Sequence, residues 1–206
     1  ISTKLTADEA GYIVADCGAK LLIAGASLGA VARDLPPVGH RYSVGGDIAG
    51  YKPIEPALAD MPSERIADES AGRDMLYSSG TTGRPKGIIG PLPEGPIDQM
   101  DALTGLVGML YQFAPDMVYL SPAPLYHAAP LRYCMSVHKF GGTVIVMEKF
   151  DAERYLQLIE QYKVTHSQVV PTMFVKMLKL PDDVRNRYDV SSLKAVIHAA
   201  APCPVA

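Results

Sequence analysis

The sequence has no CxxC, HxxxH or HExxH spacing, and its three cysteines, Cys17, Cys134 and Cys203, stand far apart. An odd number of scattered thiols argues against a disulfide framework and a zinc site, and it fits a reducing cytoplasm. The histidines, His40, His127, His138, His166 and His198, are equally scattered, so no protein metal site is expected. An excess of positive charge is missing too. Nineteen Lys and Arg face 22 Asp and Glu, and the net charge of -3 excludes the basic footprint of a nucleic-acid binder. No apolar run nears the roughly 18 residues of a membrane span. The opening Ile1-Ser2-Thr3-Lys4 has neither the layout of a signal peptide nor an initiator Met, and the chain stops at Ala206 just after an expected strand. Both ends read as cut.

What remains is an ordinary globular balance, 48% hydrophobic and 20% charged over 206 residues, enough to bury a core. Thr6 and Glu9 have the spacing of a capping box. Ala10, Ile13, Val14 and Cys17 then recur at i, i+3, i+4, i+7, one apolar stripe of a helix that Gly18 is placed to end. A short buried strand is expected over Lys20 to Ala24. From about residue 34 to 72, Pro36-Pro37, Gly45-Gly46, Pro53, Pro56 and Pro62 break the pattern, as a surface connection with brief ordered pieces would.

A helix is expected from Ile97 to about Phe113, burying Leu103, Leu106, Val107 and Leu110. Strands then alternate with helices: Met117 to Ser121, His127 to Lys139, Thr143 to Met147, a helix capped by Asp151, Ser167 to Val170, Thr172 to Leu178, and Leu193 to His198. In that capped helix Tyr155, Leu158, Ile159 and Tyr162 share a face. Such alternation predicts an α/β fold, a mostly parallel sheet with helices on its faces. There is no internal repeat.

The chemistry concentrates in Tyr77-Ser78-Ser79-Gly80-Thr81-Thr82-Gly83-Arg84-Pro85-Lys86-Gly87, where four Ser and Thr hydroxyls, three glycines and one lysine fall within eleven residues. Glycines let backbone N–H groups approach a ligand closely, hydroxyls add donors, and lysine supplies a mobile positive charge. Those are the needs of a polyphosphate, although the same residue types also fill ordinary turns. It is not a Walker loop, because Lys86 is followed by Gly87 and Pro91 arrives too soon for a helix. Nor is there a GxGxxG spacing anywhere in the chain.

This run resembles the signature loop of the adenylate-forming superfamily, which includes acyl- and aryl-CoA synthetases, luciferases and peptide-synthetase adenylation domains. Other stretches agree in order. Leu5-Thr6-x-x-Glu9-x-x-Tyr12-Ile13 resembles the helix upstream of that loop, Pro124-Leu125-Tyr126-His127 the next motif, and His198-Ala199-Ala200-Ala201-Pro202 the strand end that lies against adenine. The resemblance implies that residues 1–206 are a fragment of the large N-terminal domain, with the C-terminal domain absent. It implies attack of a carboxylate on ATP to give an acyl-adenylate, followed by thioesterification to CoA, with ATP, Mg²⁺ and CoA serving the intact enzyme.

By the same resemblance Ser78, Ser79, Gly80, Thr81, Thr82, Gly83, Lys86 and Gly87 bind the phosphates, and Ala200, Ala201 and Pro202 the adenine. Lys86 and His127 take catalytic positions. Histidine at 127, where amino-acid-activating members tend to have aspartate, points to a fatty, aryl or other amine-free acid. Three departures stand out: Ala199 replaces a frequent glycine, Pro91-Leu92-Pro93 interrupts the helix that usually follows the loop, and the Mg²⁺-binding glutamate motif has no match. The 206-residue piece alone is therefore expected to be inactive. A cytoplasmic enzyme without a transmembrane segment is expected, and a homodimer stays open.

Two other classes compete. Gly25-Ala26-Ser27-Leu28-Gly29 fits the G-x-S-x-G elbow of a serine esterase and follows a strand, though no HGGG-type loop lies upstream. A non-catalytic binding relative of the family is the other, and the intact loop argues against it.

Overall fold

A computed structural model describes residues 1–78 and 84–203. They fall into two compact units, Ile1–Gln99 and Met100–Ala206.

The first unit opens with α1 (Ala7–Asp16). Its capping box closes as the spacing requires: Thr6 Oγ1 accepts from the Glu9 N–H at 3.3 Å, and Glu9 Oε2 accepts from the Thr6 N–H at 2.9 Å. Ala10, Ile13 and Val14 are buried, whereas Cys17 is exposed beyond the last turn. Gly18, at φ +62°, ends the helix in the left-handed conformation that glycine adopts without cost.

There follow β1 (Leu21–Gly25), a 3₁₀ turn over Ala26–Leu28, α2 (Gly29–Arg33), β2 (His40–Val44), β3 (Lys52–Pro53) and α3 (Ile54–Ala59). Strands β1, β2 and β3 make a parallel sheet in that order, in register from Leu21↔His40 to Gly25↔Val44. The stretch expected as a surface connection thus supplies the middle strand. Pro53 is tolerated because β3 is an edge and its missing N–H is not needed there. Ala32, Ile48 and Tyr51 form a small core, and the Tyr51 hydroxyl donates to the Ala32 carbonyl at 2.7 Å. The unit ends in an antiparallel pair, β4 (Leu76–Ser78) and β5 (Lys86–Ile88).

The second unit begins with α4 (Ala102–Tyr111), shorter than expected at both ends. Asp101 caps it by accepting from the Thr104 N–H at 3.0 Å, and Gln112 closes it at φ +56°. The buried face is Thr104 and Val107, not the leucine stripe; Leu103, Leu106 and Leu110 are exposed. Small residues bring α4 close to the chain beyond, since a Cβ on Gly108 would collide with the Phe140 ring.

Next come β6 (Val118–Ser121), α5 (Ala128–Lys139), β7 (Thr143–Val146), α6 (Ala152–Tyr162), β8 (His166–Val169), α7 (Pro171–Leu178), α8 (Asp182–Arg185) and β9 (Ala195–His198). The sheet order is β7-β6-β8-β9, all parallel. From β6 the chain moves outward to β7, then returns past β6 to β8 and β9, so its direction switches between β6 and β8. In α6, capped by Asp151 accepting from the Arg154 N–H at 2.8 Å, Tyr155, Leu158 and Ile159 pack on Leu120, Val164 and Val169. Tyr162, expected on the same face, is largely exposed at the helix end.

His166 lies buried at the start of β8, with Nε2 2.9 Å from the Tyr111 carbonyl and Nδ1 2.8 Å from Thr165 Oγ1. A carbonyl can only accept, so Nε2 carries the proton and Nδ1 accepts from the threonine hydroxyl. Burial holds this imidazole below its ordinary pKa.

Candidate functional site

The glycine-rich run is delivered by the β4/β5 pair. Ser78 and Lys86 are register partners at the ends of the two strands that face the connecting segment, followed by Tyr77↔Gly87 and Leu76↔Ile88. Ser79, Gly80, Thr81, Thr82 and Gly83 lie outside the described residues. Lys86 is exposed, and no acidic group pairs with it among the described residues. Gly87 is required by packing: a Cβ there would collide with the Met75 methyl and sit 3.0 Å from Tyr77 Cζ. The Tyr77 ring crosses this gap to α1, where its hydroxyl donates to Asp16 Oδ2 at 2.6 Å. Burial, then that bond, holds the phenol well above its usual pKa, so it stays a donor. On the other side of the segment, the Arg84 guanidinium lies 5.0 Å from the centroid of the Tyr12 ring.

In the second unit the expected residues lie on loops leaving the carboxyl ends of β6 and β9. Open parallel sheets bind ligands at that edge, most often where the strand order switches. His127 is the residue before α5; it is exposed, its side chain makes no cap bond, and its ring lies 4.4 Å from that of Tyr126. The strand β9 leads into residues 199–202, where the Ala199 N–H donates to the Val169 carbonyl at 3.3 Å. Ala200 stands at φ +75°, a conformation a Cβ disfavours and one often retained at functional turns. His127 and residues 200–202 therefore share one sheet edge, while Ser78, Lys86 and Gly87 belong to the first unit.

Two features escaped the sequence reading. A cavity of about 240 Å³ lies between α4 and α5, lined by Leu103, Val107, Ala128, Ala129, Arg132, Tyr133 and Ser136. Its signal was the Ala128-Ala129 pair, small side chains that leave room beside His127. Burial, with a hydrogen bond that the Tyr133 hydroxyl donates to Tyr111, pushes the Tyr133 phenol up to about 12. The second is Gln168, in β8 near the switch and 2% exposed, whose Oε1 finds no partner among the described residues. A glutamine inside an expected strand, Ser167 to Val170, was the signal for that one. Among the described residues no three His, Cys, Asp or Glu gather as a metal site, and no helix is long and apolar enough to cross a membrane.

The esterase elbow does not form. Ser27 sits in the 3₁₀ turn and is absent from the described non-glycine residues with positive φ, which are Gln112, Lys163 and Ala200. A nucleophile elbow needs a strained turn and a histidine on the hydroxyl, and Ser27 has no side-chain hydrogen bond to one among the described residues.

Comparison with known proteins agrees with this fold. The family of AMP-binding enzymes matches residues 1–206. A medium/long-chain fatty-acid–CoA ligase of Mycobacterium tuberculosis is 30% identical over 155 residues, 75% of this chain and 25% of that protein. A 4-coumarate–CoA ligase of Petroselinum crispum is 35% identical over 156 residues, 73% of this chain and 27% of that one. The chain thus spans about a quarter of the length of these curated relatives. Among solved structures, the anthranilate CoA ligase AuaEII in complex with anthranoyl-AMP superposes with a TM-score of 0.76 at 26% identity, over 99% of this chain and 40% of that one. The N-terminal domain of FACL13 from Mycobacterium tuberculosis gives 0.73 at 25% identity, over 99% and 50%.

Proposed function

This chain belongs to the family of AMP-binding enzymes, and from that premise we propose that the whole protein is an ATP-dependent acyl-CoA synthetase. A carboxylate oxygen attacks the α-phosphorus of ATP, the bond to the β-phosphate breaks, and pyrophosphate leaves an acyl-adenylate. The CoA thiol then attacks the acyl carbonyl and AMP departs. Both partners of the first step are anions, so the protein must chiefly neutralise charge and fix geometry.

The observation that carries this reading is the run from Tyr77 to Gly87, with Lys86 exposed opposite Ser78 at the head of the β4/β5 pair. Lys86 supplies positive charge to the β- and γ-phosphates; Ser78, Ser79, Gly80, Thr81, Thr82, Gly83 and Gly87 supply the surrounding N–H and hydroxyl groups. Mg²⁺ enters with the nucleotide as part of the substrate. His127 orients the acyl carboxylate at the α5 N-terminus, whose first turn carries no competing acid. Residues 200–202 receive the adenine.

The acyl group occupies the cavity beside His127. Its 240 Å³ suits an aromatic ring or a medium-length chain, a cavity of ~150 Å³ being enough for benzene. The names of the relatives, fatty-acid and 4-coumarate ligases, support the same range. A reducing cytoplasm suits Cys17, Cys134 and Cys203, all free thiols. The isolated 206 residues do not turn over, and ATP–pyrophosphate exchange by that piece would contradict this. The reading as a whole is tested by pyrophosphate release from the full-length protein across short, medium, long-chain and aromatic acids. Release with at least one acid supports it, and silence with all of them refutes it.

A further inference from the structure

Asp16 is a misplaced residue by local rules. It ends α1, where the helix dipole turns its negative pole outward, and no basic side chain in the last turn offsets the carboxylate. Where a local rule is broken without a local gain, the reason is to be sought in a tertiary contact. Here the contact is the Tyr77 hydroxyl, 61 residues away in sequence and 2.6 Å from Oδ2. The other oxygen, Oδ1, faces the Tyr12 hydroxyl at 3.5 Å, and the Tyr12 ring in turn lies under the Arg84 guanidinium. Tyr12 and Asp16 are four residues apart and so share one face of α1. Tyr77 and Arg84 stand on opposite sides of the segment 79–83.

We infer that Asp16 and Tyr12 are positioning residues: a platform on α1 that seats both flanks of the β4/β5 stem and so sets where Ser78 and Lys86 meet the nucleotide. The inference rests on the reading of residues 77–87 as the element that holds the ATP phosphates. Its chemistry is complete without the segment between the flanks. Tyr77 makes two contacts, its ring lying over Gly87 and its hydroxyl donating to Asp16, so the strand carrying Ser78 cannot turn about its axis without breaking one of them. Arg84, two residues before Lys86, is held against the Tyr12 ring, a contact that limits the sideways travel of β5. The stem reaches the nucleotide already ordered, and binding is spared the cost of ordering it.

The test is ATP affinity and steady-state kinetics of the full-length protein carrying Tyr77→Phe, Asp16→Ala, Asp16→Asn or the Tyr77→Phe/Asp16→Ala pair, with Lys86→Ala as control. Tyr77→Phe keeps the ring over Gly87 and removes only the hydroxyl. The KM and Kd for ATP are expected to rise about two- to tenfold in Tyr77→Phe and Asp16→Ala, the range of a single hydrogen bond, with kcat at saturating ATP retained. Asp16→Asn, which keeps an acceptor, falls between wild type and Asp16→Ala. The double variant is no worse than the worse single variant, because both break one bond. Parental ATP affinity in both single variants, losses that add in the double variant, or a fall in kcat without a change in KM would each overturn the platform. If Lys86→Ala weakens ATP while the platform variants do not, the platform alone falls; if Lys86→Ala leaves ATP affinity untouched, the phosphate reading falls and takes the platform with it.

Discussion

The two sheets of this chain are built from the same βα vocabulary and buried to different depths. In the second unit every residue of β8 is buried, and Leu120, Ile159, Val164 and Val169 are fully enclosed between sheet and helices. In the first unit Leu21 and Ile23 of β1 are 51% and 50% exposed, and the buried cluster against that sheet is Ala32, Ile48 and Tyr51. Yet the densest chemistry, the run from Tyr77 to Gly87, belongs to the shallower unit. A rigid α/β layer carries the residues that need only a fixed edge, His127 and residues 200–202. The element proposed to hold the phosphates stands on a two-strand stem tied down by a few polar contacts.

The largest effect that would sharpen this contrast is a core truncation. Ile159→Ala is expected to cost about 2–5 kcal/mol, because α6 and the sheet cannot close on the lost atoms. Leu21→Ala, already half in water, is expected to cost under about 1 kcal/mol. Urea unfolding of the two variants measures the difference, and equal losses would break the comparison.

Acid should act on the deep unit next. The folded pKa of His166 lies below its unfolded value of 6.5, first because of burial, so the unfolded chain binds the extra proton. The stability due to the neutral, buried ring is therefore whole above about pH 6.5 and drains away as pH falls through the lowered folded value. His166→Gln, which cannot titrate, should flatten the part of the stability profile that falls below about pH 6.5. A profile unchanged by the substitution would remove His166 from the account.

The smallest effect concerns Ala200. Held at φ +75°, it stores strain of about 1 kcal/mol that Ala200→Gly releases from the folded state, offset in part by glycine's freer unfolded chain. A slight rise in melting temperature is expected, with the KM for ATP following whatever change the loosened turn brings. A fall in stability of more than about 1 kcal/mol would show that the alanine methyl packs usefully.

How much of this could be read beforehand follows the range of the forces. Thr6 with Glu9, Asp151, and the stripes of α1 and α6 are local features, and the helices form where the spacing puts them. The strand β2, His-Arg-Tyr-Ser-Val, has no apolar run and sits among glycines and prolines; only pairing with β1 and β3 makes it a strand, and pairing partners are not local information. The buried face of α4 was misread because its close packing buries Thr104 and Val107, with Gly108 against the Phe140 ring, and leaves leucines outside. The positive φ of Ala200 could not be foreseen, since alanine avoids it. Lys86, His127 and Ala200 were named from sequence by the residue types and spacing of their motifs; the structure places Lys86 at the end of β5, His127 before α5 and Ala200 after β9, and their roles are proposed. The ties from Tyr77 and Arg84 to α1 were not.

The grip of residues 78 to 86 on the ATP phosphates is tested most directly by acyl-AMP formation in the full-length protein with Lys86, Thr81 and Thr82 replaced by alanine. The account predicts a loss of about 10²- to 10³-fold with an unchanged melting temperature, the scale on which preorganised donors at developing charge act. Acyl-AMP formed at the parental rate would contradict it.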